Sequence, residues 1–292
     1  MARNAPGASA ARRKKAVDEQ ALAPQWLTGI WRRDSLVLAG GKKDIDSLVL
    51  WGQTPSRFVD LRLPVARLTS YQPSKSAKAH IALRAKQEGF AGWVEVDQDV
   101  CRWHREIDFH PENGIADEAR LRIERNQLFE EALDDVGGVP AYKEVFTRTR
   151  PGLELCAGFD LIKLEGSIFG TDRPSKAIMV LIDDAFLFAR DRSAPLPNAL
   201  SLAAALKGAT DEDVKNALDC EISFGSLLAG KKAWHVKHST RPEREGKRLF
   251  EKPHSVTWDG RDLTVLSHDG QATWRTCDAV PPTKDMIALF TL

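Results

Sequence analysis

Apolar and polar positions alternate along many short stretches of this chain. In Phe58-Val59-Asp60-Leu61-Arg62-Leu63-Pro64, Val59, Leu61 and Leu63 alternate with Asp60 and Arg62, the pattern of a half-buried strand. Further strand-like runs in the first half cover residues 29–38, which end at the turn signal Gly40-Gly41, then 46–51, 90–96, 100–109, 121–128 and 142–149. Residues 76–88 change character: Ala77, Ile81 and Ala85 fall near helical spacing, and Gly89 stops the run. Beyond Arg150-Pro151-Gly152 the strand pattern starts again, at 159–166, 177–190, 221–225, 233–240, 255–258, 263–267 and 272–278. Two helices interrupt it, one over residues 201–207 and one capped by Thr210 or Asp211 that runs to about Leu218. Six or so short strands ahead of residue 150 suit a closed barrel better than an open α/β layer. The pattern thus predicts a tail without fixed structure over residues 1–24, a first barrel over 25–150 and a second over 151–292.

Charge and cysteine usage narrow the function classes. Lysine plus arginine (42) nearly cancels aspartate plus glutamate (41), so no global field favours nucleic acid or an anionic membrane. The basic cluster Arg12-Arg13-Lys14-Lys15 is followed by no apolar stretch, which speaks against a secretory signal. No run approaches the roughly 18 apolar residues of a membrane helix. Cys101, Cys156, Cys220 and Cys277 lie far apart and form no C-x-x-C, so reduced, buried thiols in a cytoplasmic protein are expected rather than zinc or disulfides. Eight tryptophans stand against two tyrosines; in a β protein they pack the core, line a cavity or plug a barrel end.

The densest polar constellation is Arg102-Trp103-His104-Arg105-Glu106-Ile107-Asp108-Phe109-His110. On a regular strand, Trp103, Arg105, Ile107 and Phe109 share one face, while His104, Glu106 and Asp108 share the other. The apolar set should face a core or cavity, where Arg105 needs an anionic partner: Asp60, Glu95 or a ligand carboxylate. His104, Glu106 and Asp108 are the acid–base candidates, with a charged exterior face as the plain alternative. His104 reaches Glu106 along a straight strand, whereas a His104–Asp108 dyad needs a bulge. The short connection over 52–57 brings Arg62 near Trp51 and Gln53; the three suit an anionic aromatic ligand, unless Arg62 simply pairs with Asp60. His235 and His238 fall on opposite faces of a strand, a poor metal spacing, and no G-x-S-x-G, Walker or G-x-G-x-x-G motif occurs. No metal and no cofactor are expected. Ser223-Phe224-Gly225-Ser226 reads as a turn, and residues 239–246 as a mixed-charge loop that faces solvent, a barrel mouth or the first domain.

Several of these stretches are also familiar. Trp31-Arg32-Arg33-Asp34-Ser35-Leu36, Val49-Leu50-Trp51-Gly52-Gln53-Thr54, Gly89-Phe90-Ala91-Gly92 and Trp103-His104-Arg105-Glu106-Ile107-Asp108 stand in the first half. Glu221-Ile222-Ser223-Phe224-Gly225, Trp234 and Ser239-Thr240-Arg241-Pro242-Glu243-Arg244-Glu245-Gly246 stand in the second. Together they resemble a two-barrel calycin family, related in fold to lipocalins, that includes fungal kinase-interacting proteins. The resemblance spans residues 26–280. It implies a mainly β fold of two consecutive lipocalin-like antiparallel barrels with a few short helices, and a small-molecule cavity; it carries over no catalytic residues. Three readings follow: a binder of an amphipathic or aromatic ligand, anionic in one version; a cofactor-independent isomerase, cyclase, dehydratase or lyase using His104 or Glu106 with an arginine anchor; and a scaffold for a protein partner.

Overall fold

The computed structural model describes residues 22–70, 81–112, 114–133, 141–168, 176–196, 199, 201–227, 233–251, 253–278 and 284–291. The tail expected over residues 1–24 therefore falls almost wholly outside the described residues. So do residues 76–80 of the helix expected over 76–88; of its described part only Ile81–Arg84 is helical and Glu88 already opens a strand, with Val65–Ser70 as a further short helix before it.

The first half is an antiparallel meander of β1 (Gly29–Leu38), β2 (Lys43–Asp44), β3 (Leu48–Gln53), β4 (Phe58–Leu63), β5 (Glu88–Asp97), β6 (Val100–Asp108), β7 (Glu118–Glu124), β8 (Gln127–Ala132) and β9 (Tyr142–Arg150). β1 pairs with β3 on one side and with β9 on the other, which closes a ring of eight strands; β2 is a short extension on β1. Closure removes the two edges an open sheet would leave unpaired. The single strand expected over 121–128 is instead the hairpin β7–β8: Arg125, at φ 57°, turns the chain between Glu124 and Gln127.

The second half contains β10 (Cys156–Gly166), β11 (Ala177–Ile182), β12 (Ala185–Arg190), β13 (Glu221–Ser226), β14 (His235–Ser239), β15 (Ser255–Trp258), β16 (Asp262–Ser267) and β17 (Gly270–Thr276), in the order β14-β13-β12-β11-β10-β17-β16-β15. Val236 of β14 and Val256 of β15, at opposite edges, pack into the same core, so the sheet is wrapped. Among the described residues no pairing joins those two edges, and the closed ring expected for both halves is found in the first alone. The wrapped interior is filled by Phe159, Phe186, Phe188, Trp234, Phe250, Trp274 and Phe290. The run expected over 177–190 is two strands, split where Asp183 takes φ 49°. Residues 223–226, expected as a turn, form part of β13: Ile222 and Phe224 are buried on one face, while Ser223 bonds Glu221 and Ser239 on the other.

A continuous apolar layer joins the halves. Val59, Leu61, Leu63, Ala91, Ile107 and Phe109 point outward from the barrel and pack on Ile178, Val180, Leu187, Ala189, Ile222 and Phe224 of the second sheet. β11 and β12 are buried on both faces as a result, which explains why they read as unbroken apolar runs. Gly52 makes the closest approach possible, because a Cβ there would lie 2.5 Å from Leu187. Polar clamps border the layer. Arg57 donates to both carboxylate oxygens of Asp160 at 2.7 and 2.5 Å, and Arg192 donates to the carbonyls of Asp108 and Phe109. The loop of residues 239–246 takes the third course left open for it: Glu245 pairs with Arg67 at 2.9 Å, and Gln87 donates to the Thr240 carbonyl. The four cysteines are free, and among the described residues no helix is long and apolar enough to cross a membrane.

Candidate functional site

The first barrel is built in storeys along its axis. One end is plugged: the 3-10 turn Gln25–Leu27 buries Leu27, whose carbonyl accepts from Trp31 Nε1 at 2.8 Å. Arg148 lies 4.4 Å over the Trp31 ring and donates to the Trp26 carbonyl. The middle storey is aromatic. Trp51 meets Trp103 edge-on at 5.6 Å and Phe146 at 6.1 Å, and Phe58 meets Phe90 at 6.0 Å. Here Trp51 Nε1 donates to Gln53 Oε1 at 3.2 Å, and Gln53 Nε2 donates to the Thr54 carbonyl at 2.7 Å. Both polar groups are thus satisfied within the wall.

The storey at the other end is charged. Period-two spacing carries Arg33 inward from Trp31, Asp60 and Arg62 inward from Phe58, Glu130 inward from Leu128, and Tyr142 and Glu144 inward from Phe146. Arg33 bonds Glu144 at 2.6 Å and Asp44 at 2.7 Å. Arg62 bonds Asp60 at 2.9 Å and lies 3.5 Å from Glu144. Tyr142 donates its hydroxyl to Glu130 at 2.8 Å. Arg105 pairs with Asp117 at 2.6 Å and Asp108 at 2.9 Å, its guanidinium 3.7 Å over the Phe90 ring. Asp60, Glu130 and Glu144 are buried, and Glu144 Oε2 has no hydrogen bond. Arg62 and Arg105 keep 21% and 34% of their side-chain surface exposed.

This environment shifts protonation. Burial, then repulsion from Glu144, pushes the Glu130 carboxyl up to about 8. Burial also raises Asp60 and Asp108, against the opposing pull of Arg62 on Asp60 and of Arg105 on Asp108. Tyr142 is raised by burial and by Glu130.

A bulge decides how β6 contributes. Ala91 pairs with Ile107 but Gly92 with Arg105, so Arg105 and Glu106 together oppose Gly92. A Cβ on Gly92 would lie 1.9 Å from the His104 carbonyl, so only glycine fits. The extra residue reverses the alternation beyond it. Trp103 and Arg105 face the lumen as expected, but Ile107 and Phe109 turn outward into the layer between the halves. Asp108 turns inward to Arg105 instead of sharing a face with His104. His104 stays outside, stacked on Trp93 at 3.7 Å with its Nε2 3.4 Å from Glu95. Glu106 pairs with Lys176 of the second half at 3.0 Å. The bulge that a His104–Asp108 dyad requires is present, and it separates the two residues. Nor do His104 and an arginine share one enclosed pocket.

The structure therefore gathers Trp51, Gln53, Arg62, Trp103, Arg105 and Asp108 in one lumen and leaves His104 and Glu106 outside it. Arg105 takes Asp117 and Asp108 as partners, not Asp60 or Glu95, because Asp60 holds Arg62 and Glu95 lies outside with Arg102 and His104. Arg33, Glu130, Tyr142 and Glu144 were not singled out from the sequence, although their spacing of two from Trp31, Leu128 and Phe146 places them on the apolar face. A charged residue in phase with a buried strand face was the available signal. A hollow of about 390 Å³ lies between Ala194–Leu196 and the short helices Leu202–Ala205 and Asp211–Ala217. Its ionisable lining is Lys207 and Asp213, and Asp213 is bound to Thr210, so the convergent chemistry belongs to the lumen rather than to this hollow. Among the described residues no three histidine, cysteine, aspartate or glutamate side chains are placed to hold a metal ion.

No protein-family model and no curated protein matches the chain. Among solved structures, an uncharacterized protein of Saccharomyces cerevisiae is similar over 91% of this chain and 100% of its own, at 10% sequence identity and a TM-score of 0.49.

Proposed function

We propose that the first barrel is a calycin-type cup that binds a small amphipathic molecule. An eight-stranded barrel is just wide enough either to be filled by its own side chains or to hold one small ligand. The observation that carries the reading is the buried, unbonded Glu144 Oε2 inside a storey of ion pairs, one end of the same barrel being plugged by Leu27. A barrel built for stability alone would be apolar there, since buried charge costs more than it returns unless every group is satisfied. Exposed Leu38, Ile45, Val65, Leu68 and Ile115 sit on the connections at the charged end and offer contact to an apolar tail.

Native mass spectrometry of freshly purified protein is the direct test. A bound mass, lost on mild unfolding together with a change in the Trp51 and Trp103 fluorescence, is expected. A ligand-free mass, with no quenching across a panel of small amphiphiles, refutes the cup.

A further inference from the structure

The charged storey also indicates which ligand charge it accepts, an inference that rests on the cup reading. The sequence alone suggested an anion held by Arg62 and Arg105. The structure reverses that preference at the charged end, because each arginine of that storey is already committed. Arg33 bonds Glu144 and Asp44, Arg62 bonds Asp60, and Arg105 bonds Asp117 and Asp108. An incoming carboxylate would have to displace one of these partners and leave it buried without a cation, the costliest outcome for an ion pair. Acidic groups are in surplus even with Glu130 protonated: Asp44, Asp60, Asp108, Asp117 and Glu144 face the three guanidinium groups of that storey.

We propose that the lumen recognises an organic cation, an amine carried on an apolar body, whose N–H groups bond Glu144 Oε2. Glu144 is 2% exposed, so an ammonium there would meet a carboxylate shielded from water. Trp51, Trp103 and Phe146 form the adjoining aromatic storey, a surface that attracts positive charge. A bare metal ion fits less well, since among the described residues the carboxylates do not converge to metal spacing.

The test is calorimetric titration of the full chain with hexylamine, hexanoate and hexanol, which share one tail and differ in charge. Hexylamine is expected to bind about tenfold tighter than either other probe, the worth of one charge-assisted contact. Glu144→Gln should remove most of that preference, read as the ratio of hexylamine to hexanol affinity. Equal binding of amine and alcohol, or tighter binding of hexanoate, overturns the cation assignment and leaves the cup standing. Binding of none of the three overturns the assignment together with the cup. The comparison of probes on the unaltered protein decides the matter even where a variant fails to fold.

Discussion

Glu130 shows how one inward-facing residue sets a property of the whole barrel. Its carboxyl accepts from Tyr142 and feels Glu144, Arg62 and Asp117 across the lumen. In the folded protein it keeps its proton up to about 8, whereas the unfolded chain releases it near the ordinary value of 4.5. Between those values the folded state binds more protons than the unfolded one, so this contribution to stability is present in acid and is lost as pH rises through the window. Glu130→Gln stays neutral at every pH. Relative to the parent, the variant should therefore gain stability between pH 5 and pH 8.5, by on the order of a few kcal/mol. Urea melts of both proteins across that range check it, and parallel curves would show that Glu130 ionises normally. The same scale explains why the His104 chemistry read from the sequence is dispersed. A spacing of two residues says which side chains share a face only while the ladder is regular, and the extra residue opposite Gly92 is a contact between strands, not a local property of β6.

At the scale of elements, local signals were reliable where the element is held by its own chain. The helix Asp211–Ala217 starts at Thr210, whose hydroxyl accepts from the Asp213 backbone while the Asp213 carboxylate accepts from Thr210 in return. Both ends of that helix were legible, since caps and acidic first turns are written in adjacent residues. Val214 and Ala217 carry the helix into the layer between the halves. Thr210→Ala should cost about 1 kcal/mol, read as a lower urea midpoint and faster amide exchange over residues 211–217. An unchanged exchange pattern there would show that packing alone holds the helix. Strand limits were less legible. Hairpin turns at Arg125 and Asp183 use non-glycine residues at positive φ, so the sequence lacks the usual punctuation there.

At the scale of the molecule, the two halves share one core and should behave as a single cooperative unit. Leu61 is fully buried in the layer that joins barrel and second sheet. Leu61→Ala is expected to destabilise by about 2–5 kcal/mol through the lost contacts and the cavity left behind. Trp51 and Trp103 report on the first half, Trp234 and Trp274 on the second. One calorimetric transition, with near-ultraviolet signals from both halves shifting together, is expected; a shift confined to one half would establish independent domains. The interior of the second sheet is occupied by its own aromatic rings.

The sequence by itself determined what alternation and capping determine: a mainly β chain, most strand positions, the capped helix, the nearness of Arg62 to Trp51 and Gln53, and the inward phase of Trp103 and Arg105. These are local, because a side chain's face follows from its neighbours two residues away. Closure of the first ring through β1 and β9, the bulge that parts His104 from Asp108, and the pairing of Arg33, Arg62 and Arg105 with protein carboxylates were decided only in three dimensions. Each depends on residues far apart in the chain, such as Arg33 and Glu144, whose meeting no local pattern encodes.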